Sequence, residues 1–595
     1  MKKINRKSQL TNKNYFASIN VTCALIFMAS LILRWIIPST IVTNSPNDDF
    51  LGVLQAHNLL QGNWLGSWNV NVLSKPPGYA FFLLIAHAIP TDPTVVLHFF
   101  YLVLGIYFRS LLGKKFMPSS NLSNRFLDVA FLVFAFNPAV FGQDFSKIYR
   151  TSLDSILSLA IVLLMLEIIH RYNIEITKLR SVATSKHTAK VPYHFGIWAL
   201  LGFLFSWKFL TRSEALWLFA PSLLILGIMV FRFWIKSYKI NDVKMMPQKS
   251  FRVSFYKSST VGICTALVFA ASPIFIVSEI NKSHYGVFET ENYFSGNFGK
   301  AYKLWEGVNQ GRDGRLSVSI STLQRKTVYK ISPTAALLEP IIEGTGPIAG
   351  WKNFNCQSPS HICDEAGPWF PWELRDAAFA AGRAATEIQF QKFFGQIAKD
   401  IENACQNRSI SCGPKGTSVA LGSWHFIPKK QLLTYAFNAL NSMINFDSAL
   451  NTARPNGGDD ASQLGIWHST LHFDRVSFTN SYDGWKAFDG GIISLRSLYL
   501  ILLPVLIVVG ILRWLFKRKQ WLDSSETFST IFLILTIAIY LGGMALFEVA
   551  TGFQAGFSEY CLPVQPIFLI SLIYFATDPN ISKFMTQVNR GQDAD

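Results

Sequence analysis

Residues 47–79, NDDFLGVLQAHNLLQGNWLGSWNVNVLSKPPGY, decide how this chain is read. Two adjacent carboxylates, Asp48 and Asp49, open a stretch with apolar residues at Phe50, Leu51, Val53, Leu54, Leu59 and Leu60. Gln55, His57, Asn58 and Gln61 lie between them, and Trp64 and Trp68 follow. Few charges, an apolar majority and nearby tryptophans predict a helix lying in a membrane interface. Pro76-Pro77-Gly78 then ends any helix and fixes a turn that aims Lys75.

Working outward, the stretch follows an apolar run at 16–37, which the basic residues 1–14 precede with no small-residue cleavage site. That pattern predicts a retained first helix instead of a removed signal peptide. Half of the 595 residues are hydrophobic, with 50 Phe and 16 Trp and only 15% charged, the composition of a polytopic membrane protein. Further spans are expected at 95–112, 126–143, 151–170, 194–210, 215–234, 258–279, 497–516, 527–548 and 560–577, while 79–90 is too short to cross and reads as re-entrant or interfacial. The net charge of +17 comes from basic blocks between spans, at the N-terminus, 114–125, 171–190, 236–257 and 517–519, so it reports orientation and not nucleic-acid binding. These blocks fall on one side, the cytoplasmic one. The 38–94 loop, the 143–150 turn, the 211–214 turn, the 280–495 segment and the 553–560 turn then share the opposite face.

This divides the chain into an N-terminal membrane module (1–279), an extracytoplasmic domain (280–495) and C-terminal membrane helices (496–595). Within the domain, 371–405 reads as one long helix and 429–446 as a second, with loops at 344–350 and 455–460. Four of the seven cysteines lie there, as Cys356 with Cys363 and Cys405 with Cys412, each pair enclosing six residues. Outside the cytoplasm these are disulfide candidates. Cys23, Cys264 and Cys561 belong to apolar runs. There is no Gly-rich phosphate loop and no HExxH.

Asp48 and Asp49 admit two readings. One carboxylate before a helix is an N-cap, whereas a second exceeds what the cap needs and, partly desolvated, suits a general base. Asp49, nearer the helix, is the better cap and Asp48 the better base. Lys75 either snorkels to a headgroup or, fixed before the prolines, meets a phosphate as a point charge. Arg150 and Arg212 offer further cations or lipid anchors at the same face. Asp154 stands at i+4 from Arg150, so a salt bridge or a carboxylate facing a cavity are both open. Glu214, Glu559, Tyr560, Glu289 and Glu291 are weaker candidates, and His57 and His87 are polar interface residues.

The run from Asn47-Asp48-Asp49 through Gly62-Asn63-Trp64-Leu65-Gly66 to Ser74-Lys75-Pro76-Pro77-Gly78-Tyr79 resembles the first external loop of GT-C glycosyltransferases, nearest the lipid A aminoarabinose and protein O-mannosyltransferase group. Asn137–Gly142, leading to Asp154, and Leu210–Glu214 are similar to that family's next external ends. The resemblance, over 45–220, implies a polytopic α-helical membrane protein of about 10–12 spans with one large, mostly helical extracytoplasmic domain. It also implies sugar transfer from a polyprenyl-phosphate donor, with Asp48 or Asp49 and Asp154 catalytic and Lys75 on the donor phosphate. Arg150 and Arg212 would assist, Tyr79, Glu214, Glu559 and Tyr560 would contact substrate, and a divalent cation stays open. Lipid, glycan or protein are candidate acceptors, in a plasma or inner membrane. A transporter of lipid-linked sugars would use the same cations without chemistry, but should show paired inverted halves, which this chain does not; an envelope-assembly protein with a degenerate site is the other rival.

Overall fold

The computed structural model describes residues 20–41, 47–89, 91–115, 121–182, 194–239, 246–308, 320–351, 370–413, 429–450, 461–471, 481–521, 525–551 and 557–577. Its elements are helices. The first part comprises α1 (Val21–Ile36), α2 (Asp49–Leu60), α3 (Gly78–His87), α4 (Pro93–Lys115), α5 (Asn121–Ala135), α6 (Gln143–Ser146), α7 (Arg150–Val182), α8 (Phe195–Thr211), α9 (Phe219–Lys239) and α10 (Met246–Tyr285). The middle part comprises α11 (Gly296–Glu306), α12 (Thr322–Ile331), α13 (Pro333–Ala336), α14 (Glu339–Ile342), α15 (Phe370–Ala380), α16 (Glu387–Gln406), α17 (Lys429–Ile444) and α18 (Ala461–Leu471). Last come α19 (Ser481–Trp521), α20 (Ser525–Thr551), α21 (Phe557–Cys561) and α22 (Gln565–Ala576).

Most of the expected spans lie on a single helix, whereas 560–577 is divided between α21 and α22 and 215–234 begins in a 3-10 helix, Ser213–Leu218. Among the described residues, five helical stretches are long and apolar enough to cross a membrane: Pro93–Lys114, Arg150–Glu175, Ser254–Tyr285, Phe488–Leu515 and Glu526–Glu548. Val21–Ile36, Phe195–Thr211, Phe219–Ile235 and Gln565–Ala576 are apolar but shorter. The expected 126–143 span is broken. Asn124–Ala135 and Pro138–Ser146 meet at 44°, where Asn137 accepts a bond from the Ala139 amide and Pro138 starts the new helix.

The apolar part of α7 is buried on all sides, as a helix without a polar face must be, and it packs against α4, α8, α20 and α22. Around it, α8 and α10 come into backbone contact, since a Cβ on Gly202 would sit 2.1 Å from the Ala266 carbonyl oxygen. Within 79–90, the residues up to His87 belong to α3, a ten-residue helix that buries Gly78, Tyr79, Ala80, Phe82, Leu83 and Ala86.

The 280–495 segment is not one unit. Buried residues between Tyr293 and Ile410 make their own core, centred on Phe298, Tyr302, Trp305, Phe390 and Phe394. Ala439, Met443, Phe446, Ala449, Trp467 and Leu471 instead join the core of the membrane helices. The expected helix over 371–405 is two helices, α15 and α16. Gly382 takes φ +66° and closes α15, while the Thr386 hydroxyl accepts from the Gln389 amide to start α16. Cys405, in the last turn of α16, forms a disulfide with Cys412 beyond its end, and Cys412 pairs with Val308 in an isolated bridge. Cys356 and Cys363 lie outside the described residues.

Candidate functional site

The loop after α1 delivers Asp48 and Asp49 to the start of α2. Asp48, not Asp49, occupies the N-cap position, and its carboxylate makes no capping bond. The reason is a stronger partner: Lys75 Nζ donates to Asp48 Oδ1. Tyr149 Oη donates to the same oxygen at 2.5 Å and receives Arg150 Nε at 3.1 Å. Asp48 is half exposed, at 50% of its side chain, against 14% for Lys75, so this pair stands at an opening.

Asp49, first residue of α2, turns the other way into the protein. Its carboxylate lies 3.2 Å from Lys147 Nζ, which also lies 3.5 Å from Glu559. Thr151 Oγ1 donates to Glu559 at 3.1 Å. Lys147 is set by main chain, because the Thr40 amide donates to the Ser146 carbonyl and the Ile148 amide to the Thr40 carbonyl. Buried Arg34 donates to Ser146 Oγ beneath them.

Three cations surround the Tyr149 ring, with Lys147, Arg150 and Lys75 at 4.7, 5.6 and 5.7 Å from its centroid. Arg212, at the end of α8, lies 5.4 Å over the Tyr560 ring. Lys75 is placed from both sides: Gln55 Nε2 donates to its carbonyl at 3.3 Å, and three residues on, Gly78 begins α3 against α8. A Cβ at Gly78 would meet the Leu210 carbonyl carbon at 2.4 Å, and the Trp207 indole donates to the Gly78 carbonyl at 2.9 Å. Only glycine lets the Lys75 turn and the Arg212 end of α8 approach this closely.

The electrostatics follow from the pairing. Desolvation raises the Asp48 carboxyl, but the charges of Lys75 and Arg150 and the bonds from Lys75 and Tyr149 outweigh it and hold it well below the usual carboxylate range. Asp49 goes the other way, pushed up to about 7 by burial and by Asp48 and Glu559, against the pull of Lys147. Lys75 is pushed down to about 8, by burial and Arg150 against the pull of Asp48. Burial keeps the Tyr149 phenol far above its ordinary range, so it remains a donor. Lys75, Lys147 and Arg150 thus gather around Tyr149 with Asp48, Asp49 and Glu559, and Arg212 stands over Tyr560 beside Glu559.

Asp154 does not pair with Arg150 as its i+4 spacing suggests. It is buried one turn into α7 and ion-paired with Lys208, whose side chain is 0% exposed and also donates to Ser158 at 2.7 Å. Lys208 lies 5.2 Å over the Trp217 ring. Sequence reasoning missed Lys208, although a lone ammonium within the apolar α8 is a signal in itself. Tyr79 is buried, its ring packed into the core against Gly52 and Phe82. Glu214 falls in the 3-10 helix Ser213–Leu218, and its side chain lies outside the described residues. Glu289 accepts from Ser295 and Glu291 from the Tyr293 amide, beside the core that begins at Tyr293. His57 and His87 hold Thr470 of α18. Among the described residues no group of three or more His, Cys, Asp or Glu side chains is placed to hold a metal ion.

No family model matches the chain, and no curated protein matches it. Among solved structures, the chain is similar to ArnT from Cupriavidus metallidurans bound to undecaprenyl phosphate, at 12% identity and a TM-score of 0.29, over 91% of this chain and 77% of that one. The apo state of the same protein aligns over the same shares at 10% identity and a TM-score of 0.28. Scores at this level carry neither fold nor activity from one protein to the other.

Proposed function

We propose that the chain is a membrane glycosyltransferase that moves a sugar from a polyprenyl-phosphate donor to an acceptor at the extracytoplasmic face. The observation that carries this reading is the Lys75–Asp48 pair, with Asp48 half exposed and Lys147 and Arg150 beside it around the Tyr149 ring. The resemblance of residues 45–220 to GT-C enzymes points the same way.

Such a pair is a stored partnership that a phosphate can exchange. The donor phosphate takes Lys75 from Asp48, with Arg150 and Arg212 as further counter-charge. Asp48 then loses the ammonium that depressed its pKa and becomes a competent base, still oriented by Tyr149. The acceptor oxygen or nitrogen bonds to the anomeric carbon while the carbon–phosphate-oxygen bond breaks. The acceptor's proton goes to Asp48, and the electron pair leaves with the lipid phosphate, whose growing charge Lys75 stabilises. A single displacement of this kind inverts the anomeric centre. Asp49, neutralised by Lys147 and turned inward, maintains the local charge in this scheme.

The test is donor consumption by purified full-length protein in lipid nanodiscs, with a polyprenyl-phosphate sugar identified by mass spectrometry of copurifying lipids. Asp48→Asn should abolish transfer while leaving donor binding intact. Transfer at the wild-type rate by the Asp48→Asn, Asp49→Asn double variant would sink the proposal. Movement of the intact donor between leaflets without sugar release would favour the transporter reading instead.

A further inference from the structure

The loop that ends at Lys75 is held by α10, where Trp64 donates to Asn281 and Tyr285 to the Gly66 carbonyl, and by the extramembrane unit. Arg375, on α15, is fully buried, and its guanidinium reaches out of that unit into the loop. Nε and Nη2 donate to the Val70 carbonyl at 3.2 and 2.6 Å, and Nη2 reaches the Val72 carbonyl at 3.4 Å. Nη1 donates to Asn292 Oδ1. Asn292 relays the hold: its backbone amide donates to the Leu73 carbonyl at 2.7 Å, and its side chain is fixed by Glu387 at 2.9 Å.

Leu73 shows that this hold has a purpose beyond packing. Its φ of +59° is a left-handed conformation that costs a residue with a Cβ about 1–2 kcal/mol, so the surroundings must impose it. Two residues later comes Lys75, and the prolines after it allow no slack. The same loop sends Trp68 into the unit's core, where its indole donates to the Ala384 carbonyl at 2.8 Å and its ring meets Phe379 and Phe390.

We propose that Arg375, with Asn292 as relay, is a positioning residue for Lys75, so that the extramembrane unit sets where the phosphate-binding ammonium stands. The planar fork of Arg, bonding two loop carbonyls two residues apart and Asn292 at once, fixes both location and angle as a Lys ammonium does not. The consequence for catalysis rests on the function proposed above; the positioning does not.

Full-length protein in nanodiscs tests both separately. Acetylation by N-hydroxysuccinimide acetate, read by peptide mass spectrometry, reports the accessibility of Lys75 against Lys147, which Thr40 holds independently. Arg375→Ala should raise Lys75 labelling several-fold with Lys147 unchanged, and weaken undecaprenyl phosphate binding about tenfold, equivalent to about 1.4 kcal/mol. Arg375→Lys should fall between. A folded Arg375→Ala protein, judged by helical circular dichroism and an intact Cys405–Cys412 disulfide, whose Lys75 labels like wild type overturns the proposal. Should that variant not fold, Asn292→Ala decides: a smaller rise in Lys75 labelling supports the relay, and wild-type labelling overturns it. If wild-type protein does not bind undecaprenyl phosphate at all, the functional reading fails while the labelling still decides the positioning.

Discussion

Two Lys–Asp pairs differ in that one is closed and the other open. Lys208 and Asp154 face each other across α7 and α8 with side-chain exposures of 0% and 3%, whereas Lys75 and Asp48 show 14% and 50%. The same two side-chain types therefore serve opposite ends. A buried pair must keep both members, because removing either strands a charge in an apolar medium. A pair at an opening gives up little when it separates, so an incoming anion can trade places with the carboxylate.

Breaking the closed pair should produce the largest effect. Lys208→Met should cost about 3–5 kcal/mol of stability, read by denaturant unfolding in lipid, and the double change with Asp154→Leu should recover most of it. A negligible loss would erase the distinction between the pairs. Lys75→Ala should instead leave stability within about 1 kcal/mol. Its cost should fall on undecaprenyl phosphate binding, weakened by about 1.5–3 kcal/mol for a lost charged hydrogen bond, as measured by native mass spectrometry.

The pH dependence sharpens the contrast further. Folding lowers the Lys75 pKa from 10.5 to about 8, so between those values the unfolded chain holds a proton that the folded protein has released. The contribution of Lys75 to stability therefore rises with pH across that window, while phosphate binding falls as the ammonium is lost. Lys75→Arg, charged throughout, should flatten both trends. The smallest effect belongs to Tyr149→Phe, which removes a donor from Asp48 and should lower transfer by about 1 kcal/mol, a few-fold in rate.

Much of this arrangement can be read from residue order alone. Apolar runs fix the helices because backbone groups in lipid must be satisfied within a segment, and Asp48, Lys75, Arg150 and Glu559 gather because span ends alternate sides. Local rules fail where tertiary contacts outcompete them. Spacing favoured Arg150 for Asp154, but Lys208 comes from another helix at the same depth and Arg150 is turned to Tyr149. Polarity could not divide 280–495, since the polar residues of α17 and α18 hide that α17 packs on α20 and α21 and α18 on α2 and α3. The parallel bridge between Thr40 and Lys147 has no sequence signal at all. By contrast the break between α15 and α16 was legible in Gly382 and in Thr386 with Gln389, which the alanine-rich composition around them obscured.

The bond from Thr151 to Glu559 joins residues 408 positions apart. At about 5–20 residues per second, a ribosome needs about 20–80 s to travel from one to the other. For that interval Lys147 and Asp49 wait in the membrane without the third member of their cluster. The charge balance of the site is thus a property of the finished chain: a nascent or truncated protein carries the cations but not their last counter-charge, and competence arrives only when synthesis is nearly over.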